Sequence, residues 1–336
     1  MVTASAIAAA FAGRRALVTG GAGFVGSHLC QRLVQLGADV VAVDNLSTGD
    51  TGNLAWSRPG DRFSFRRHDV LQPLTLDGTL DFVLHLASPA SPRDYTRLPW
   101  ETLRAGAAGT QHALDLAAEK GARFLLASSS EVYGDPLVHP QPETYWGNAN
   151  PVGPRSVYDE AKRYAEALVA CYQRLGRADA AIARIFNTYG PRMRLDDGRA
   201  VPTFAGQAQA GQPITVAGDG SQTRSLCFVD DTVAGLLALA ASDQAGPVNI
   251  GNPHETSVLR VAETVRDLAG SVSPIVFVAR PVDDPSRRCP DITLARRALG
   301  WEPRVHLLDG LRRTLEWTLA ARCPAPVGPG RTRGST

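Results

Sequence analysis

A glycine run constrains the fold of this chain more than any other feature. Gly20-Gly-Ala-Gly-Phe-Val-Gly26 follows an apolar stretch, Arg14 to Thr19, and opens a helical pattern, Val25 to Leu36. Gly20, Gly23 and Gly26 permit a tight strand-to-helix turn, close approach of bare backbone to a pyrophosphate, and close packing of helix on strand. The backbone of Phe24 and Val25 then begins a helix whose free N–H groups and positive dipole end face the phosphates. A second strand, Asp39 to Asp44, ends on a carboxylate 24 residues after Gly20. A carboxylate there hydrogen-bonds the adenosine ribose and repels a 2′-phosphate, so the expected cofactor is NAD rather than NADP. Asn45 beside it, Asp69 after a third strand (Arg62 to His68), and Leu86 and Ala87 after a fourth (Phe82 to Leu86) complete the expected cofactor site.

Strands and helices keep alternating. A helix is expected over Leu103 to Glu119, a fifth strand over Phe124 to Ser129, a helix over Tyr158 to Leu175 and a sixth strand over Ala180 to Phe186. Short apolar strands separated by longer helices define an α/β protein, here a Rossmann-type doubly wound parallel sheet covered on both faces. Residues 14–186 would form this NAD-binding domain. Residues 187–320 would supply a smaller C-terminal substrate-binding domain, with some segments returning to the sheet. Gly, Pro and Arg punctuate 187–225, which reads as irregular, and helical patterns return at 230–241, 257–269 and 308–321. The Pro- and Gly-rich tail, 324–336, cannot bury a core and is expected to be disordered.

Bulk properties exclude several classes. A net charge of +2 over 336 residues provides no field for nucleic acid. No apolar run reaches the roughly 20 residues that span a bilayer, so no membrane role is expected. The five cysteines are scattered without any CxxC pair, which argues against a zinc site or a disulfide framework and for a cytoplasmic location.

Of 35 basic residues only Lys120 and Lys162 are lysine. Lys162 follows Tyr158 by four positions, one helical turn along the same face. An ammonium beside a phenol favours the phenolate and so lowers a pKa that starts near 10. The fifth strand ends in Ala127-Ser-Ser-Ser-Glu-Val-Tyr-Gly134, which sets Ser129, Ser130 and Glu131 beyond the carboxyl end of a parallel sheet, where ligands bind.

With Asn187-Thr-Tyr-Gly-Pro-Arg192 added, the chain resembles the extended short-chain dehydrogenase/reductases that act on nucleotide sugars. His85-Leu-Ala-Ser-Pro-Ala-Ser-Pro92, the segment from Glu131 to Pro154, Gly218-Asp-Gly-Ser-Gln-Thr-Arg224 and Asp284-Pro-Ser-Arg-Arg-Cys-Pro-Asp291 narrow the resemblance to the UDP-glucuronate decarboxylases. It spans about residues 14 to 320. It implies that Tyr158, helped by Lys162, takes a proton from the sugar 4-hydroxyl during oxidation by NAD, with Ser129 orienting that oxygen. Glu131, Ser130 and an arginine at 288 (with 287 as the other reading) would serve the decarboxylation and protonation steps. Pro89, Ala90 and Ser91 would receive the glucuronate carboxylate, and Asn187, Arg192, Arg224 and Arg288 would contact the UDP-sugar. A homodimer is also implied, with the small residues Ala105 to Gly109 allowing close helix approach between subunits.

The chain departs from that pattern at Arg104-Ala-Gly106, where the family has Lys-Thr-Asn. The glycine removes a polar partner beside the catalytic Tyr and costs about 1 kcal/mol in a helix interior. A nucleotide-sugar 4,6-dehydratase, a 4-epimerase and a non-catalytic NAD-binding sensor are the alternatives. The first needs an Asp-Glu pair where this chain has Ser130-Glu131, and retention of Ser129, Tyr158 and Lys162 argues against the last.

Overall fold

A computed structural model describes residues 3–322. The first helix, α1 (Ala4–Phe11), leads into β1 (Arg15–Thr19), α2 (Phe24–Gln35), β2 (Asp39–Asp44), β3 (Phe63–Arg67) and β4 (Phe82–His85). Two short helices, α3 (Pro92–Arg97) and α4 (Pro99–Arg104), precede a π-helical turn at Ala105–Gly109 that continues into α5 (Thr110–Lys120). Then come β5 (Arg123–Ser129), α6 (Ser156–Arg174) and β6 (Ala180–Ile185). The remainder comprises β7 (Thr188–Tyr189), α7 (Ala200–Gln209), β8 (Ile214–Ala217), β9 (Thr223–Ser225), β10 (Cys227–Phe228), α8 (Val229–Ala240), β11 (Pro247–Ile250), β12 (Glu255–Ser257), α9 (Val258–Leu268), β13 (Ile275–Val278) and α10 (Leu307–Arg322).

Seven strands form one parallel sheet in the order β11-β6-β5-β4-β1-β2-β3. The chain reverses its direction of travel across the sheet between β1 and β4, and that switch point opens a crevice at the strands' carboxyl ends. Alternate residues of each strand enter opposite cores. Val40 and Ala42 of β2 face one hydrophobic cluster with Leu29 of α2 and Leu236 of α8. Val41 and Val43 face the other, with Leu114 of α5 and Val169 of α6. Burial on both faces explains why these strands read as unbroken apolar runs.

Six of the seven strands of the main sheet lie within a residue or two of their expected places, but the edge strand β11 and other elements were not anticipated. The helix expected from Leu103 starts at Pro99 and is interrupted by the π turn. The stretch expected to be irregular contains α7, in which Pro202 occupies the third helical position, where a missing N–H breaks no intrahelical bond. Three two-stranded pairings, β7 with β10, β9 with β12 and β8 with β13, lie outside the main sheet. The expected disordered tail lies outside the described residues. No helix among those described is long and apolar enough to cross a membrane.

Candidate active site

One cavity of about 590 Å3 runs from the glycine loop, over the carboxyl ends of the strands, to Arg224 and Asp284. At its dinucleotide end the backbone leaves room for nothing larger than glycine. A Cβ on Gly26 would stand 2.1 Å from the Gly20 carbonyl oxygen, and one on Gly20 would stand 2.9 Å from the Ala87 nitrogen. The Asp44 carboxylate accepts N–H bonds from Ala22 (3.1 Å) and Leu46 (2.8 Å), which ties the glycine loop to the end of β2. Asn45 donates to Asp69 across the same wall at 3.2 Å. Gly23, Phe24, Val25, Leu86 and Ala87 also line it. A bare-backbone cradle at a helix start, with a carboxylate at its rim, fits a bound NAD.

Beneath the crevice lies a buried relay that sequence reading overlooked. His85 at the end of β4 contacts the Thr19 hydroxyl at 2.8 Å and the Thr110 hydroxyl at 3.3 Å. Burial, helped by Lys162, lowers the His85 pKa to about 3, so the ring is neutral and acts as a strut. The Thr19 hydroxyl in turn accepts from the Leu86 and Ala87 N–H groups.

The residues expected to be catalytic sit where β5 meets α6. Ser129 caps a 3-10 turn, Ser130–Tyr133, by accepting from the Glu131 N–H at 3.2 Å, and that turn aims the Glu131 side chain. Tyr158 and Lys162 share the buried face of α6, as their spacing requires. The Lys162 ammonium donates to the Ala127 carbonyl at 2.8 Å and stands 5.6 Å from the centroid of the Tyr158 ring.

The electrostatics correct the simplest reading of that pair. Within the protein the phenol is not lowered but pushed up to about 12. Burial is the main cause, and nearby Glu131 and Asp159 add to it, while the Ser129 hydroxyl and the Arg199 guanidinium act against it. Lys162 is itself drawn down to about 8 by burial. A desolvated ammonium committed to a backbone carbonyl is not enough to ionise a desolvated phenol.

Glu131 is clamped by two guanidinium groups. Arg155 reaches Oε2 at 2.6 Å and Arg288 reaches Oε1 at 3.1 Å. Together they hold the Glu131 carboxyl well below the usual range despite its burial. Arg288, only 1% exposed, also donates to the Ser130 hydroxyl and the Gly134 carbonyl, both at 3.0 Å. Of the two arginines, Arg288 is the buried one that reaches Glu131, while Arg287 is exposed. Ser130 and Arg288 stand behind Glu131 rather than on the main cavity wall.

Other expected contacts fall as follows. Pro89, Ala90, Ser91 and Asn187 line the cavity, but the Ser91 hydroxyl is committed to Asp94, whose N–H it accepts at 3.1 Å as the cap of α3. Arg224 is held bidentately by Asp284 at 2.8 and 2.9 Å. Arg192, expected on the substrate, lines the cavity and bonds Gln31 and Ser27 of α2, beside the glycine loop. Its φ of +66° turns the chain toward that helix, so it lies on the dinucleotide side. The cavity residues that were not anticipated include Tyr95, stacked on Tyr158 with centroids 5.4 Å apart, and Arg155, Arg194 and Arg199. In a chain with 33 arginines, residue type alone cannot single out three.

Away from the cavity, atoms of His139, Glu255 and Cys289 converge within 4.8 Å. His139 is already paired with Glu255 at 2.9 Å, and the Cys289 thiol with the Pro253 carbonyl at 3.3 Å.

A doubly wound sheet with this loop, this carboxylate and a Ser/Tyr/Lys set defines a Rossmann-type enzyme of the short-chain dehydrogenase/reductase class. The chain belongs to the NAD dependent epimerase/dehydratase family, which it matches over residues 16–251. It is 51% identical over 299 residues to UDP-glucuronic acid decarboxylase 1 of Arabidopsis thaliana, covering 89% of this chain and 68% of that one. With UDP-glucuronic acid decarboxylase 1 of Xenopus tropicalis it is 46% identical over 332 residues, covering 95% and 78%. Among solved structures, an epimerase from Methanothermobacter thermautotrophicus superposes with a TM-score of 0.86 at 30% identity, covering 95% and 96%. A UDP-glucuronic acid 4-epimerase variant from Bacillus cereus, in complex with a fluorinated UDP-glucuronic acid and NAD, gives 0.81 at 28%, covering 91% and 99%.

Proposed function

We propose that this protein decarboxylates UDP-glucuronate to UDP-xylose through a 4-keto sugar, with NAD recycled within each turnover. The likeness to UDP-glucuronic acid decarboxylases, about half identical over nine-tenths of the chain, carries this reading. The cluster at the end of β5 supplies its chemistry. When bound, NAD supplies the acceptor and later the donor of the C4 hydride, and a positive ring beside the phenol.

Tyr158 takes the proton of the sugar 4-hydroxyl, and Ser129 orients that oxygen. Lys162, with one N–H on the Ala127 carbonyl, keeps two donors for the ribose and the phenol side. The 4-ketone lies β to the C5 carboxylate, so the electrons left by departing carbon dioxide are spread onto the ketone oxygen. Ser130, Glu131 and Arg288 serve that departure and the protonation of C5. Arg224 takes the diphosphate, for which a forked guanidinium is suited. A 4,6-dehydratase would need an acid in place of Ser130, whose hydroxyl here accepts from Arg288.

The protein is further proposed to be a cytoplasmic homodimer. Trp100, Leu103 and Tyr164 leave an apolar outer face on α4 and α6, 66%, 39% and 53% exposed. Of the small residues expected at that interface, Ala105, Gly106 and Gly109 are buried within the chain, and Ala107 and Ala108 are half-buried. A monomer peak in sedimentation at micromolar concentration would count against the dimer.

The reaction is tested by incubating the protein with NAD and UDP-glucuronate, collecting carbon dioxide and identifying the sugar by NMR. UDP-xylose is expected. A 4-epimer or an unreacted carboxyl group would overturn the reading.

A further inference from the structure

Breaking the bond between C5 and the carboxyl carbon sends its electron pair toward the 4-ketone, and C5 must then gain a proton. Each turnover therefore consumes one proton, which must reach a site covered by the substrate itself. Glu131, whose N–H is accepted by the Ser129 hydroxyl, lines the Ser129–Tyr158 end of the cavity, yet Arg155 and Arg288 keep it ionised. At rest it has no proton to give.

A second cavity, of about 280 Å3, lies behind it. Glu131 and Arg155 line both cavities and form the wall between them. Exposed Asp135, Asn148, Asn150 and Asp283 stand at the mouth of the second one, so it communicates with solvent. Asp159 lines its inner end. As the residue after Tyr158 on α6, it points about 100° round the helix from the phenol. It is 5% exposed, and its Oδ1 is buried without a hydrogen-bond partner. An orphaned buried carboxyl oxygen costs stability unless the group carries a proton or serves a reaction.

We propose that Asp159 is the proton relay of this site, passing a proton taken from the side cavity to Glu131, which delivers it to C5 as carbon dioxide leaves. The proposal rests on the decarboxylase reading. The balance closes: Asp159 passes its proton to Glu131, the C5–carboxyl bond breaks as a C5–H bond forms from that proton, Glu131 returns to its ionised resting form, and Asp159 regains a proton from water. Asp159 never touches the sugar, so it is a positioning residue acting through Glu131.

The surroundings suit a resident proton. Glu131 on the 3-10 turn and Glu160 on α6 disfavour a charge on Asp159, as burial does, whereas Arg155 and Arg288 favour it, and Tyr95 of α3 lies close by. The net effect is a carboxyl raised from 3.8 to about 7.

The test compares Asp159→Asn and Asp159→Glu with the unaltered enzyme. D159N is expected to keep its KM and its first hydride transfer, read as reduced nicotinamide absorbance in a single turnover. That absorbance should then decay slowly, with kcat down about 100-fold, the range of a lost acid–base group. The fall of kcat above pH 7 should vanish, the solvent deuterium isotope effect should grow, and D159E should restore much of the rate. In the protein without ligands, infrared titration should find a carboxyl band with a midpoint near pH 7 that D159N removes. Full kcat with the original pH profile in D159N would overturn the proposal. So would parallel loss of the first hydride transfer, or absence of that carboxyl band. Should the unaltered enzyme release no carbon dioxide, the functional reading fails, and the infrared titration still reports on Asp159.

Discussion

Gly106 in the π turn rests directly on the backbone of Ala161 in α6. A Cβ at Gly106 would stand 2.5 Å from the Ala161 carbonyl oxygen and 2.8 Å from its Cβ. The residue that looked like a defect beside Tyr158 is a close backbone contact of α6, and π turns recur at functional sites.

Restoring the family's asparagine at this position should therefore harm this chain. Gly106→Asn and Gly106→Ala are expected to lower stability by about 1–3 kcal/mol, the usual range for overpacking, since backbone cannot yield as a side chain can. Turnover should fall as Lys162 shifts. Urea unfolding together with carbon dioxide release checks this; an unaltered midpoint and rate would show that α6 simply moves aside.

Tyr158→Phe should abolish turnover, with kcat reduced by at least about 100-fold and NAD affinity little changed. The ring also stacks on Tyr95, which phenylalanine preserves, so the fold should hold. Carbon dioxide release and NAD titration by fluorescence measure the two separately.

Stability should respond to pH with opposite signs at two neighbouring carboxyl groups. The folded pKa of Glu131 lies below its unfolded value of 4.5, so its contribution is present above that value and lost as pH falls toward about 2. The folded pKa of Asp159 lies above 3.8, so its contribution is fully present below 3.8 and lost as pH rises through about 7. At pH 8, D159N should accordingly be more stable than the original chain, by something on the order of 1–3 kcal/mol, with the gain shrinking toward pH 5. Thermal unfolding across that range decides it; a D159N protein that is less stable at pH 8 contradicts the sign.

Asp44→Ala should weaken NAD binding by about 10-fold or more, relax discrimination against NADP, and loosen the glycine loop. Two backbone N–H groups lose their acceptor, at about 1–3 kcal/mol for each left unsatisfied. Parallel titrations with the two dinucleotides read the selectivity, and unfolding curves read the loop.

Most of the main sheet and the residues expected at its carboxyl edge were legible in the chain alone. Strand–loop–helix patterning, the three glycines, Asp44, and Tyr158 with Lys162 all follow from periods of two and 3.6 and from residues next to one another in the chain. Packing in three dimensions was needed to pick out the arginines that meet Glu131, because Arg155 and Arg288 come from positions 24 and 157 residues away. It also decided the protonation of the site. A pKa is set by burial and by every charge that packing brings near, and no spacing in the chain records that Tyr158 is raised, Glu131 lowered and Asp159 left with an oxygen unpaired.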